Sequence, residues 1–471
     1  MSPSQRRICA LFALVSACAR AGDGRVADAP SPSQAPQPTS AAPRSPTAAA
    51  AVAVASEDDD VAIELFEPDR STEIVSLPTF TDVFAEPRLD AARLGVLAIG
   101  ERVRVHEAIS TQDCETGWRP LVPQGFLCAE VEPTHKPASD TILPRLPRGS
   151  LVPGTYAKLS SERSRIYASL EDALAGRGGV LPDASLTVRR IGSASHGGRE
   201  FWRTRHGYVA ANELRKLDTS RFRGAAVGDA LAQPRAWARF RGNDGTIPLR
   251  AAPHAQAELA ARMPARHSGT VLATSDDGRF VELALAGGER GWASRDDVRI
   301  AERVAPPAGI ADDERWLDID VSQQVLVAYV GARPVYATLV STGRRGHDTP
   351  EGSFRIERKV AERTMSSRPG DDDPYAVDRV PWTAYFVGSY ALHAAYWHGS
   401  FGERKSHGCV NLAPADARHL YAWTGPGVHP GYAEVLAAPQ QPGSLVRIRD
   451  GAPASDEGEP VVLALAEIDA P

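Results

Sequence analysis

The segment Ser406-His407-Gly408-Cys409 places a cysteine next to residues that could activate it. The thiolate is the nucleophilic form of cysteine, so a catalytic cysteine needs a proton acceptor and a polar, partly exposed setting. His407 and His393 are the two histidines available for this role, and their spacing alone does not decide between them. Gly408 leaves room for a substrate carbonyl near backbone N–H groups that could stabilise an oxyanion. The pattern therefore indicates acyl transfer through Cys409.

Other interpretations of these residues are possible. Cys409 could be a small buried residue, as most cysteines are. His393, His398, His407 and Cys409 are also zinc-ligand types, but their spacings lack the close pair typical of a structural zinc site, and no second cysteine is nearby. In papain-like proteases the cysteine precedes its histidine, which is the reverse of the order here. We therefore expect neither a metal nor a cofactor.

The stretch from Tyr390 to Asn411 resembles the active-site signature of the L,D-transpeptidases of bacterial cell walls. Further upstream, residues 316–329 resemble the opening hairpin of that family, and residues 340–354 resemble its next turn, so the resemblance covers about 312–448. Twelve residues separate His393 from Ser406, fewer than in most family members, and Ala394 stands where glycine or serine is more usual. These departures concern substrate preference more than chemistry.

The resemblance implies that Cys409 is the nucleophile and His393 the proton acceptor and donor, with His407 completing the catalytic set. It also implies substrate-binding roles for a group of neighbouring residues, namely Ser406, Gly408, Asn411, Tyr396 and Trp397. The implied reaction forms a thioester with a peptidoglycan stem peptide, releases D-alanine and transfers the acyl group to an amine. If water accepted the acyl group instead, the site would be an L,D-carboxypeptidase.

The first residues have the features of a bacterial export signal. Arg6 and Arg7 precede an apolar run, Ile8 to Ala17, that is too short to span a bilayer. Val15 to Cys18 resembles the lipobox of lipoproteins, in which the cysteine becomes the lipidated N-terminus; an ordinary signal peptide is the alternative. We predict a signal peptide over residues 1–18 and lipidation of Cys18.

Residues 19–60 are rich in Ala, Pro, Ser and Thr and predict a disordered tether, because such a segment buries too little apolar surface to fold. By lipoprotein convention, Ala19 suits sorting to the outer membrane. We therefore predict a protein of the periplasmic cell envelope, held at the membrane by a lipid anchor. The acidic tail, 450–471, is also predicted to be disordered.

An internal repeat lies between the tether and the catalytic region. Gly125, Gly207 and Gly291 each open a similar segment, and the alternating apolar residues before them predict small antiparallel β units over 61–135, 150–217 and 235–301. These units resemble bacterial Src-homology-3-like barrels and could bind the cell wall or act as spacers. A non-catalytic peptidoglycan-binding lipoprotein is therefore the alternative from a different functional class.

Charge and cysteine content add further expectations. The net charge of −6 gives no reason to expect nucleic-acid binding. Cys114 and Cys128 bracket one hairpin of the first unit and are plausible disulfide partners in an oxidising compartment, although they could also remain reduced. Cys409 would then be the free thiol expected of a nucleophile.

The catalytic region, 312–449, has the pattern of a mainly β domain with one or two short helices. Apolar and polar residues alternate from Leu317 to Val321, which predicts a half-buried strand. Val325 to Val330 is predicted to be its hairpin partner. Pro414 to Trp423 predicts a helix, because proline suits a first turn and Gly425-Pro426 ends it. The polar stretch Ala361 to Pro381 predicts either a lid over the cleft or a plain surface loop.

Overall fold

The computed structural model describes residues 72–160, 164–182, 185–239, 245–367 and 373–451. The predicted signal peptide, Cys18, the tether and nearly all of the acidic tail lie outside the described residues and stay predictions. Strands dominate the described chain, which confirms the mainly β fold class. No helix among the described residues is both long and apolar enough to cross a membrane.

Three groups of strands lie within the ranges predicted for the three β units, whose division into separate domains stays a prediction. The first group comprises β1 (Glu73–Ser76), β2 (Thr81–Phe84), β3 (Arg93–Leu97), β4 (Arg102–Val105), β5 (Arg119–Pro120), β6 (Phe126–Leu127) and β7 (Glu132–Pro133). The second comprises β8 (Tyr156–Leu159), helix α1 (Leu170–Ala175), β9 (Ser185–Arg189), β10 (Gly192–His196), β11 (Arg199–Thr204), β12 (Gly207–Ala210), the 3₁₀ turn Ala211–Glu213 and β13 (Leu214–Lys216). A linking segment holds β14 (Ala225–Ala226) and the 3₁₀ turn Gly228–Ala232.

The third group forms one antiparallel sheet of seven strands in the order β17-β16-β20-β19-β18-β15-β21. Its members are β15 (Arg235–Ala238), β16 (Thr246–Arg250), β17 (Leu259–Pro264), β18 (Ser268–Thr274), β19 (Phe280–Leu285), β20 (Arg290–Ser294), the 3₁₀ turn Arg295–Asp297 and β21 (Val298–Ala301). The pairings of the described residues form open sheets in all three units. Their Src-homology-3-like character therefore stays a prediction.

The catalytic region contains ten strands and one helix among its described residues. They are β22 (Arg315–Asp320), β23 (Val325–Val330), β24 (Arg333–Leu339), β25 (Gly352–Arg355), β26 (Arg358–Ser366), β27 (Tyr375–Val387), β28 (Tyr390–Ala394), β29 (Val410–Leu412), α2 (Pro414–Trp423), β30 (Tyr432–Leu436) and β31 (Leu445–Arg449). The predicted hairpin β22–β23 and the predicted helix α2 are both confirmed.

Two of the preceding units join the catalytic region edge to edge. A twelve-stranded sheet contains β27, β26 and β30 at its centre, with strands of the second unit on one side and of the first unit on the other. Parallel β9 pairs with β27, and antiparallel β3 pairs with β30. Gly95 on β3 permits this close approach, since a Cβ there would lie 2.4 Å from the Glu434 carbonyl oxygen. The first unit also shares one hydrophobic core with the catalytic region.

The strand β22 is buried on both faces, so the predicted half-buried pattern is wrong. Asp318 and Asp320 alternate with apolar residues but are only 1% and 5% exposed. The neighbouring parallel strand β31 places two arginines beside them. Arg447 Nε donates to Asp318 over 2.7 Å, and Arg449 Nη1 donates to Asp320 over 2.7 Å. A buried carboxylate is tolerated when it is paired in this way, which the sequence of β22 alone does not reveal.

Lys359 on β26 is fully buried and closes the C-terminal end of α2. Its ammonium donates to the carbonyl oxygens of Tyr421, Thr424 and Pro426. Burial acts to lower the Lys359 pKa to about 7. Three carbonyl acceptors favour the ammonium, because only the charged group has three protons to donate. These bonds satisfy carbonyls that the end of a helix leaves without partners.

Replacing Lys359 with methionine is expected to lower the free energy of unfolding by about 2–4 kcal/mol, because three buried carbonyl oxygens lose their donor. Urea unfolding followed by circular dichroism measures this change. The matched control is Lys216→Met, since Lys216 is an exposed strand lysine and its loss should change stability by less than about 0.5 kcal/mol. Equal stabilities of the two variants would contradict this account of Lys359.

Candidate active site

Cys409 lies at the entry to β29, which pairs with β28 in parallel register. In that register Leu392 faces Val410 and His393 faces Asn411. Neighbouring strands present in-register side chains on the same face, and residues two apart on a strand share a face. His393, Asn411 and Cys409 therefore lie on one face of this strand pair, although the fifteen positions between His393 and Cys409 hide this from a reading of the sequence.

The turn before Cys409 is held by three hydrogen bonds, which involve the side chains of Ser406 and Thr349. Ser406 Oγ donates to the Cys409 carbonyl oxygen over 2.5 Å and accepts from Gly408 N–H over 3.1 Å. Thr349 Oγ1 donates to the Gly408 carbonyl oxygen over 2.7 Å. Gly408 has a φ of +115°, and a Cβ there would lie 2.4 Å from Tyr390 Cε1, so only glycine fits.

These contacts show what the polar groups of the turn do in the free protein. Ser406 is buried, braces the backbone and is not among the residues that line the cleft, so its substrate-binding role stays a prediction. The Gly408 N–H is already engaged by Ser406, which makes the Cys409 N–H the better candidate for an oxyanion donor.

A cleft of about 490 Å³ opens beside Cys409. It is lined by residues from the β26–β27 hairpin, the 346–348 turn and the β27–β28 turn, among them Arg363, Met365, Tyr375, His347, Asp348, Tyr385, Ser389, Tyr390, His407 and Cys409. Gly408, Asn411, Tyr396 and Trp397 are not among the lining residues. Most of the residues that line the cleft were not predicted from the sequence, because they lie far apart along the chain.

The predicted lid, residues 361–381, is neither a lid nor a plain loop in its described part. Residues up to Ser366 continue β26, and residues from Tyr375 begin β27, so both sides of the stretch are antiparallel strands. Arg363 and Tyr375 from this hairpin form part of the cleft wall. The many Asp, Arg and Pro residues suggested a loop, but cross-strand pairing overrides this local preference.

The Cys409 thiol sits in an apolar setting. It packs against Val360, Tyr385 and Ala391, and its Sγ donates to the Ser389 carbonyl oxygen over 3.7 Å. Burial raises the pKa of Cys409 to about 11. A raised pKa favours the neutral thiol in the free protein, so the thiolate would form only as a base removes the proton.

His393 is buried and neutral on the same face of the strand pair as Cys409. Burial lowers its pKa to about 4. Nδ1 lies 3.2 Å from the Ala394 carbonyl oxygen, which can only accept, so Nδ1 carries the proton and Nε2 carries the lone pair. Trp397 stacks on the ring with centroids 5.8 Å apart and limits its movement. His393 can therefore act as a base without first losing a proton.

His407 lines the cleft but is held differently. Arg344 Nη2 donates to His407 Nε2 over 2.9 Å, which occupies the lone pair of that nitrogen. The ring also contacts Tyr375 and His347, with centroids 4.6 and 4.7 Å apart. This arrangement favours His393 as the proton acceptor and leaves His407 as part of the cleft wall.

Comparison with known families bears on the region that contains this site. Residues 314–448 match the YkuD family model, an L,D-transpeptidase catalytic domain. The matched YkuD domain therefore includes β22 to β30, all of β31 but its last residue, and every residue of the cleft described above. The match agrees with the resemblance drawn from the motif around Cys409.

Several solved L,D-transpeptidase structures resemble parts of the chain. One from Stackebrandtia nassauensis is 25% identical, covering 31% of this chain and 60% of that chain at a TM-score of 0.22. One from Mycobacterium smegmatis is 17% identical, covering 53% and 90% at 0.24. The catalytic domain from the E. faecium enzyme is 20% identical, covering 29% and 98% at 0.22. These TM-scores are too low to support any inference about the chain. No curated protein is significantly similar to it.

His398 of the YkuD domain is bound to Asn411. The Ser400 N–H donates to His398 Nδ1 over 3.1 Å, so the proton of the neutral ring is on Nε2. Nε2 lies 2.9 Å from Asn411 Nδ2. Two donors cannot bond to each other, so with this tautomer the carboxamide is turned to place its oxygen at that position. Burial lowers the His398 pKa to about 3 and keeps the ring neutral. The pair fixes Asn411 beside His393.

Tyr396 connects the YkuD domain to the second β unit and is fully buried. Its ring stacks on Tyr156 with centroids 3.9 Å apart, and its hydroxyl donates to the Asp378 carbonyl oxygen. In the free protein Tyr396 therefore packs between the two units, and its substrate-binding role stays a prediction. This packing could not be predicted from the sequence, because the partner strand lies more than two hundred residues away.

The remaining predicted groups can also be placed. Cys114 and Cys128 form a disulfide with a Cα–Cα distance of 5.8 Å, and Cys409 is the free cysteine of the described residues. Across the described ranges, no group of three or more His, Cys, Asp or Glu residues is arranged to hold a metal ion. His398 and His407 instead bond to Asn411 and Arg344.

Alkylation of Cys409 by iodoacetamide is expected to accelerate roughly tenfold per pH unit from pH 7 to 10, because the thiolate fraction rises toward a pKa of about 11. Peptide mapping by mass spectrometry isolates the rate at Cys409. A rate that levels off below pH 8 would show a stabilised thiolate and contradict the neutral resting site. His393→Gln is the matched control and should leave the profile unchanged, since His393 is neutral throughout this range.

Proposed function

We propose that the protein is a peptidoglycan L,D-transpeptidase that uses Cys409 as its nucleophile. The observation that carries this proposal is the placement of Cys409 and His393 on one face of the β28–β29 pair within the matched YkuD domain. The open cleft beside Cys409 gives a stem peptide access to the sulfur.

In the first half-reaction, His393 Nε2 takes the proton of Cys409 as Sγ attacks the carbonyl carbon of the third stem residue. The new C–S bond forms a tetrahedral oxyanion, which the Cys409 N–H would stabilise as a hydrogen-bond donor. The C–N bond to the terminal D-alanine then breaks, and His393 returns the proton to the leaving amine. The product is a thioester.

In the second half-reaction, the amine of another stem peptide attacks the thioester, and His393 accepts its excess proton. The C–S bond breaks and the proton returns to sulfur, which restores the neutral thiol. The neutral pair of Cys409 and His393 suits this cycle, because the proton moves only as the new bond forms.

Incubation with disaccharide-tetrapeptide muropeptides, followed by mass spectrometry, tests this function. Cross-linked dimers formed with loss of D-alanine would support transpeptidation, and a tripeptide product alone would identify an L,D-carboxypeptidase. Absence of turnover by the folded protein with its thiol intact would favour the non-catalytic peptidoglycan-binding alternative. Cys409→Ala protein serves as the control for contaminating activity.

We further propose that the chain is exported and lipidated at Cys18, which would anchor the cleft in the periplasm. Support comes from the charged start, the short apolar core and the lipobox-like residues at 15–18. Labelling with a palmitate analogue in an expressing Gram-negative host should mark the protein, and Cys18→Ser should remove the label. An unlabelled but exported protein would point to an ordinary signal peptide.

A further inference from the structure

A second cavity lies where the second β unit meets the β26–β27 hairpin. Its volume is about 860 Å³, and five arginines line it together with two carboxylates. The lining is formed by Arg189, Arg190, Arg205, Arg363 and Arg379 with Glu362, Asp378, Ile191 and Thr364. We call this cavity the arginine cleft. Five positive and two negative side chains leave an excess of three positive charges, which favours an anionic ligand.

Hydrogen bonds hold two of the arginines in place. Glu362 accepts from Arg189 Nη1 over 2.7 Å and lies 3.7 Å from Arg379. Arg205 Nη1 donates to Thr364 Oγ1 over 2.7 Å, while the buried Asp378 lies 2.9 Å from His206 Nε2 and 4.0 Å from Arg205. Held guanidinium groups lose less side-chain entropy when they bind an anion. The arginine cleft is therefore organised for binding before a ligand arrives.

The backbone of the hairpin also changes at this point. The pairing of β26 with β27 shifts register between Arg363 and Met365, and Arg379 adopts a φ of +50°. A bulge of this kind redirects side chains and often lies next to functional sites. The redirected Arg379 is about half exposed and lines the cavity rather than continuing the strand pattern.

The arginine cleft adjoins the cleft of Cys409. Arg363 and Thr364 line both cavities, so one molecule can extend from the nucleophile past β26 toward the arginines. A single phosphate would fill a small part of so large a cavity, whereas an extended peptide with several carboxylates matches its length and charge. Guanidinium groups pair well with carboxylates because two N–H groups can face two oxygens.

We propose that the arginine cleft binds the carboxylates of the peptidoglycan stem peptide whose reacting carbonyl enters the Cys409 cleft. This inference rests on the proposed function and names the second β unit as part of the substrate site. Arg190 and Arg205 from that unit would select stem peptides with free carboxylates over amidated ones. The unit is then a specificity element of the enzyme rather than a spacer.

Equilibrium binding to the full-length Cys409→Ala protein tests the inference without turnover. Disaccharide-tetrapeptide with free carboxylates should bind at least about tenfold more tightly than the same compound with its carboxylates amidated. The double variant Arg190→Gln/Arg205→Gln should remove that difference. The matched control is Arg199→Gln, because Arg199 stacks on Phe201 as Arg190 does on Trp202 but lies outside the cavity.

Several outcomes would overturn the inference. Equal affinity for the free and amidated compounds would overturn it, and so would an unchanged preference in the double variant. Tight binding of inorganic phosphate without binding of the muropeptide would also overturn it. Circular dichroism of the double variant checks that it is folded, and the single variants Arg190→Gln and Arg205→Gln replace it if it is not. A wrong proposed function gives a different result. The wild-type protein would then release no D-alanine, whereas the binding preference would still be observed.

Discussion

Replacing Cys409 with alanine is expected to lower kcat for D-alanine release by at least about 10⁴-fold, because covalent catalysis loses its nucleophile. Release of D-alanine from tetrapeptide muropeptides, measured by a coupled assay, gives the rate. The variant should remain folded, since Cys409 is half-buried and the change removes a single sulfur atom. Its thermal unfolding should therefore stay close to that of the wild-type protein.

The control for this variant is Cys409→Ser, which preserves the shape of the side chain but offers a much weaker nucleophile. It should also be nearly inactive while still binding muropeptide. If either variant retained more than about a tenth of the wild-type activity, a residue other than Cys409 would have to be the nucleophile.

Replacing His393 with glutamine is expected to lower kcat by about 10²–10⁴-fold, because the thiol loses the group that accepts its proton. The variant retains a polar side chain of similar size in a buried position. His407→Gln is the matched comparison and should cost no more than about tenfold, since Arg344 occupies the lone pair of His407 Nε2. Equal losses in the two variants would contradict the assignment of the base.

The pH dependence of the wild-type enzyme separates the two histidines further. The base must be neutral, and burial lowers the His393 pKa to about 4. The acid limb of kcat/KM is therefore expected near pH 4, with activity maintained as the pH falls from 7 to 5. A limb near pH 6–7 would indicate a histidine of ordinary pKa and exclude His393 as the base.

The sequence predicted the local elements of the catalytic region well. The helix Pro414–Trp423 begins and ends as its proline and glycine positions indicate, and the hairpin β22–β23 follows its apolar pattern. These elements depend on neighbouring residues. The motif around Cys409 was likewise recognisable, because the turn requires Gly408 at a positive φ and a serine to brace it.

The features that the sequence did not predict depend on distant partners. Asp318 is buried because Arg447 and Arg449 come from a strand more than a hundred residues later. Tyr396 is buried because Tyr156 of the second β unit packs on it. No local pattern contains this information, so the burial of these two side chains could not be predicted from the sequence.

The surroundings of the Cys409 thiol also depend on residues that are distant in the sequence. Val360 and Tyr385 from the β26–β27 hairpin pack against the thiol, although histidine and serine precede it in the motif. Burial then raises the pKa of Cys409. The electrostatics of the site thus depend on the tertiary contacts of the sulfur more than on its sequence neighbours.

Direct observation of the acyl-enzyme is the measurement that tests the central claim. The protein is mixed with disaccharide-tetrapeptide muropeptide, quenched in acid within the first turnovers, digested and mapped by mass spectrometry. We predict a muropeptide adduct that lacks D-alanine, joined through a thioester to the peptide containing Cys409. Release of D-alanine without an adduct on that peptide, or with an adduct on another residue, would contradict the account.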